Sequence, residues 1–298
     1  MSGGSLRRQL LLSTTVFVGA LTGYGGRSYG ACTQVGVTSK FECSGTETTT
    51  QTINFNNAEV VTLAAPAFSV DTTGSGGNAI TVTGDGALSY TDVYFSPLTA
   101  AQTALSIRSN GDDGITTPGS VTVETNGTLI GAFRGIEAGN EGGGAMSITA
   151  NGNVTGTGTY SAGISARNGD VINPAGTDLT VTTGAGTIVS GDSEGIDVEN
   201  FGSGMLTVTA NGNVTGTGLL GPYSVGTGIR ALNGFFTNPA GTDLTVTTGV
   251  GTTVMRLAID PHEDFVQMPT PLRIRSSLNT TFSDLVGKHR TGVVRAKF

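Results

Sequence analysis

Tryptophan is absent from these 298 residues, lysine occurs three times, and histidine and cysteine twice each. Each shortage excludes something. A large compact core is denied its bulkiest anchor. Both histidines, His262 and His289, lie near the C-terminus, so most of the chain has no imidazole to serve as a base or metal ligand. The lysines are Lys40, Lys288 and Lys297, and no G-x-x-x-x-G-K-[ST] loop exists, which leaves a nucleotide phosphate without a cradle. Cations are scarce in the body, where residues 31–255 carry 5 basic and 18 acidic side chains, net −13. That balance excludes nucleic acid as a partner.

Glycine is plentiful instead, at 48 residues, accompanied by many Thr, Val, Ile and Asn. Glycine costs ~1 kcal/mol per helical position relative to Ala, and those companions favour strands and turns. The composition therefore predicts an all-β chain with a thin, continuous core. At the N-terminus, Arg7 and Arg8 precede a largely apolar stretch from Leu10 to Leu21, and Ser28-Tyr-Gly30 offers a small-residue cleavage site before Ala31. Residues 1–30 thus read as a signal peptide that passes the chain to the Sec export machinery. A lipoprotein signal would require an aliphatic residue where Tyr29 stands. Export permits disulfides, and Cys32 and Cys43, with no histidine near them, predict a small loop disulfide that staples an N-terminal cap over residues 31–66.

The chain repeats itself. Thr149–Gly158 recurs unchanged at Thr209–Gly218, and Asn173–Gly184 at Asn238–Gly249, with the extra residues confined to a loop at Leu219–Thr227. A shorter unit carries Gly-Ile marks at Gly135-Ile136, Gly163-Ile164, Gly195-Ile196 and Gly228-Ile229, each followed by an asparagine: Asn140, Asn168, Asn200 and Asn233. Ala104–Asn110 is a looser copy, and Phe68-Ser-Val70 a degenerate first one. Runs such as Leu179-Thr-Val-Thr alternate aliphatic and hydroxyl residues, and Asn-Gly pairs punctuate them. One such unit cannot hide its aliphatic face, so units must stack, strand upon equivalent strand. The expected fold is a right-handed parallel β-helix of about five to six rungs over residues 67–255. Ile136, Ile164, Ile196 and Ile229 would form an internal ladder, and the four asparagines a second ladder at a turn. Residues 256–298 break the pattern, with 7 basic and 4 acidic residues, and are expected to be an irregular, poorly ordered tail.

Few constellations could carry chemistry. Gly191-Asp-Ser193-Glu-Gly195 matches a serine hydrolase elbow but lacks a neighbouring histidine base. Asp197 and Glu199 share a strand face, with Glu137 on an earlier copy, and such carboxylates suit glycan chemistry. Stacking alternatively sets Asp197 beside Ser165 and Arg230, and Glu199 beside Arg167, as a ladder of compensating charges. No catalytic residue beyond these three, no cofactor-binding residue and no metal ligand is indicated.

The signal peptide, the Cys32–Cys43 cap, the Gly-Ile-x-Ala-x-Asn units and the Leu-Thr-Val-Thr and Gly-x-Val-Thr-Gly-Thr runs resemble passenger regions of α-proteobacterial autotransporters over residues 1–255. The resemblance implies display at, or release from, the surface of a Gram-negative cell through an outer-membrane β-barrel, and contact with a host surface or glycan. The tail offers no barrel. It resembles translated mobile-element sequence, which implies a truncated gene and a periplasmic product if translocation fails. Three functional expectations stand together: a non-catalytic adhesion module, a polysaccharide lyase or glycoside hydrolase acting through Asp197, Glu199 and Glu137, and a relic without function.

Overall fold

A computed structural model describes residues 31–112, 114, 118–169, 176–218, 226–234, 243–250 and 253–254, together with short strands at Leu257–Ile259, Leu272–Ser276, Thr281–Phe282 and Leu285–Val286. The signal-peptide segment 1–30, the insertion at Leu219–Thr227 up to Val225 and most of residues 256–298 lie outside the described residues.

Alternation of an aliphatic with a hydroxyl residue is the pattern of a strand with one face buried, and every regular element among the described residues is a β-strand. The strands form three sheets. Lys40–Ser44 belongs to the first, Thr46–Glu47 to the second and Gln51–Asn54 to the third; Glu59–Thr62 then returns to the first, and this rotation continues to Leu285–Val286. Neighbours within a sheet are thus always the equivalents from consecutive passes, and they pair in parallel. The arrangement is all-β, mostly parallel and consistent with a β-helix-like solenoid. The exception to parallel pairing is Ala31–Gln34, which lies antiparallel to Lys40–Ser44 at the outer edge of the first sheet, with Cys32 opposite Cys43.

Nine strands stand in the second and third sheets and ten in the first, including that edge strand. Between residues 67 and 255 the third sheet has six strands, from Ile80–Gly84 to Thr227–Asn233; Gln51–Asn54, Leu257–Ile259 and Leu285–Val286 are further members outside that range and lack the Gly-Ile signature. Nor is Phe68-Ser-Val70 an early copy of the Gly-Ile strand. Ser69–Asp71 lies in the second sheet, and the strand in register with Leu105–Ser109 is Ile80–Gly84. Parallel pairing begins at Lys40, inside the segment expected to be a cap, and the described strands beyond residue 256 continue the three sheets.

The core is a set of columns running through the stack. Ile80, Leu105, Ile136, Ile164, Ile196 and Ile229 are consecutive register partners, each fully buried. Leu98, Leu129, Val154, Val189 and Val214 form the corresponding column of the second sheet. Burying each such side chain contributes ~1.5–3 kcal/mol, but only when a neighbour above and below covers it. The glycine of each Gly-Ile mark has a steric origin: a Cβ on Gly163 would stand 2.7 Å from Val189 Cγ1 and one on Gly195 2.6 Å from Val214 Cγ1. The third sheet can meet the second at this corner only without a side chain there.

Candidate functional site

The third sheet places its charges outward. In register order Glu137, Ser165, Asp197 and Arg230 form one row, and Gly139, Arg167, Glu199 and Leu232 the next. Arg230 donates from one nitrogen to both Asp197 Oδ1 and Glu199 Oε1, each at 2.7 Å. Arg167 grips the other oxygen of Glu199 through its Nε at 3.0 Å and a terminal nitrogen at 2.6 Å, and its guanidinium also lies 5.4 Å from the Phe201 ring centroid. Glu137 bonds instead to Arg134, 2.6 Å away, whose guanidinium sits over the Phe133 ring. The three carboxylates do not converge: Ser165 separates Glu137 from Asp197 along the row, a gap of two strand spacings or ~9.6 Å between backbones.

Electrostatics differ among these acids. Burial pushes the Asp197 carboxyl above its ordinary value, against the pull of Arg230. Burial likewise raises Glu194, a residue the repeat pattern did not single out, and the charge of Asp197 adds to the rise. Burial acts in the same direction on Glu199, but there hydrogen bonds and charge from Arg230 and Arg167 outweigh it, and its pKa falls. Desolvation works against the Arg230 cation, and the two carboxylates overcome it, so its pKa rises. Each of Asp197, Glu199 and Glu137 is thus paired with a guanidinium, Glu199 through both of its oxygens. General acid–base work needs a carboxyl free to reach substrate, and Glu194 alone of these acids has no cation within salt-bridge distance among the described residues.

Ser193 of the elbow-like sequence is buried in a turn, its N–H donating to the Ser161 carbonyl at 2.9 Å. His262 and His289 lie outside the described residues. Among the described residues no group of three or more His, Cys, Asp or Glu side chains converges on a common point.

The four asparagines stack. Asn140 Nδ2 donates to Asn168 Oδ1 at 2.7 Å, Asn168 to Asn200 at 3.2 Å and Asn200 to Asn233 at 3.0 Å. The Nδ2 groups of Asn140 and Asn233 also reach the carbonyls of Gly144 and Asp243, and those of Asn168 and Asn200 reach Thr177 and Gly204. Asn140, Asn168 and Asn200 are buried, and their amides hold one turn of each pass against the next. Cys32 and Cys43 form the disulfide, joining the edge strand to the first parallel strand.

One turn has no counterpart in the repeats. Asp92, fully buried, accepts from Thr62 Oγ1 on the preceding pass, from the Tyr94 and Ser96 amides and the Ser96 hydroxyl in its own turn, and from the Gly127 amide on the following pass, all at 2.7–3.0 Å. That clamp fixes a turn whose Tyr94 is 50% and Phe95 73% exposed, and Phe95 takes a left-handed φ of 59°. A bulky residue with φ in this region is strained and persists only where its surroundings hold it. Tyr160, 68% exposed with φ 60°, sits in a later turn held by a bond from its amide to Asp192 Oδ2.

The fold and these features define an all-β stacked-sheet protein with structural ladders and exposed aromatic turns. Comparison with protein-family models, curated proteins and solved structures finds no match to the chain.

Proposed function

We propose that the chain is an exported, non-catalytic surface module of autotransporter-passenger type, whose three sheets are the faces of a single right-handed parallel β-helix of nine coils. Right-handed coiling follows the general rule for parallel crossovers. The observation that carries the functional reading is the Asp92 turn: a buried carboxylate and a strained backbone hold Val93, Tyr94 and Phe95 out into solvent, and exposed aromatics on rigid turns are how binding proteins contact partners. The ion pairing of Asp197, Glu199 and Glu137 favours support over catalysis. The partner would be a host surface or glycan, and the route outward an outer-membrane barrel.

Tyr94→Ala/Phe95→Ala is expected to abolish attachment of producing cells to their target surface while leaving the unfolding midpoint within ~0.5 kcal/mol of the parent. Protein found only in the cytoplasm, or only in the periplasm, would remove the display reading. Loss of glycan turnover in a folded Asp197→Ala/Glu199→Ala/Glu137→Ala variant would replace it with the enzymatic one.

A further inference from the structure

The outward face of the first sheet carries a field of hydroxyls. On Met146–Ala150, Leu179–Thr183, Leu206–Ala210 and Leu244–Thr248 the burial pattern is identical, with three buried positions alternating with two partly exposed ones. The outward pairs are Ser147/Thr149, Thr180/Thr182, Thr207/Thr209 and Thr245/Thr247, in unbroken register. Seven of these eight side chains are threonine, and none of their hydroxyls has a hydrogen-bond partner among the described residues. Some outward hydroxyls elsewhere are spent internally: on the second sheet Ser190 bonds Thr155, and near the N-terminus Ser69 bonds Thr46. The field is neutral. It ends at Glu124 on one side and, on the other, at the register positions of Arg273 and Arg275.

What fits it must be neutral, rigid and periodic. A second copy of the chain is a poor occupant, because four strands at ~4.8 Å by two residues at ~6.6 Å give a patch far below the ~800 Å² per partner of a stable dimer. The face has no charge for a nucleic acid or an ionic protein partner, and no aromatic ring to stack on a sugar. A hydroxyl both donates and accepts, as water does, and the methyl beside it restricts where water can lie. The oxygens of hexagonal ice repeat along one axis at nearly the interstrand spacing, and along another at nearly twice the rise per strand residue. We propose that this threonine face binds the surface of ice. The inference stands on the register of the first sheet and requires neither export nor attachment to cells.

Purified full-length protein exposed to a slowly growing ice hemisphere is expected to enter the ice; exclusion into the liquid overturns the proposal. In recrystallisation assays, Thr182→Lys/Thr209→Lys should raise the concentration needed for inhibition by about tenfold or more. Thr180→Lys/Thr207→Lys, in the other column, should do the same, and Thr215→Lys on the second sheet should leave it unchanged. Unaltered inhibition in either double variant that keeps its β-type circular dichroism, or an equal loss in Thr215→Lys, overturns the assignment. Failed surface display with retained ice affinity would sink the proposed function and leave this face intact.

Discussion

Single residues decide how charge is held in this protein. Glu199 has its folded pKa depressed by Arg230 and Arg167, so its contribution to stability is complete above the ordinary carboxylate range and is lost as pH falls through the depressed value. Denaturant unfolding of Glu199→Gln should therefore show a deficit against the parent at neutral pH that closes on acidification. Asp197 and Glu194 act with the opposite sign, since burial raises both, and ionising them as pH rises costs stability. Tyr90 is buried with no partner for its hydroxyl among the described residues. Tyr90→Phe should hence stabilise the chain by ~1 kcal/mol, as a shift of the unfolding midpoint. The pairing of Asp197 with Arg230 and of Glu199 with Arg167 could be read from the Gly-Ile spacing, because those residues sit at fixed offsets from the marks. Glu194 and Asp92 could not. Asp92 is exceptional among its register partners, where Thr125, Ala150, Thr183 and Ala210 follow, and its bonds cross passes that share no sequence.

At the scale of the strand, the unit of stabilisation is the column. Ile164 touches Ile136 and Ile196 in register, so Ile164→Ala should cost ~2–5 kcal/mol by leaving a cavity between two intact coils. Asn168→Ala removes one member of the ladder and leaves Asn140 and Asn200 each short of a partner. A loss of ~1–3 kcal/mol is expected, and the Asn168→Ala/Asn200→Ala double variant should lose less than the sum because the two bond each other. Both columns were legible in the sequence, since identical spacing from Gly to Ile to Asn leaves one consistent register. The Gly itself has a reason that no local pattern supplies: the side chain it must avoid belongs to a valine of the second sheet, one third of a coil earlier in the next pass.

Among the described strands, most contacts run between a strand and its equivalents one pass away, so stability should spread by neighbours rather than through one centre. Reducing Cys32–Cys43, or replacing both by Ala, is expected to cost amide protection in residues 31–62 while the strand Glu194–Asn200 keeps its own, as hydrogen exchange would show. The sequence by itself determined the β character, the stacking of units and the two ladders, because alternation and repeat spacing are local facts that only one register satisfies. Tertiary structure alone decided which strands outside the repeats join the sheets, that Asp92 clamps three passes together, and that burial raises the pKa of Glu194. Strands without the repeat signature, Gln51–Asn54 among them, join the stack because an aliphatic face and a free edge are waiting for them, and a free edge is a property of the folded neighbour, not of the residues that pair with it.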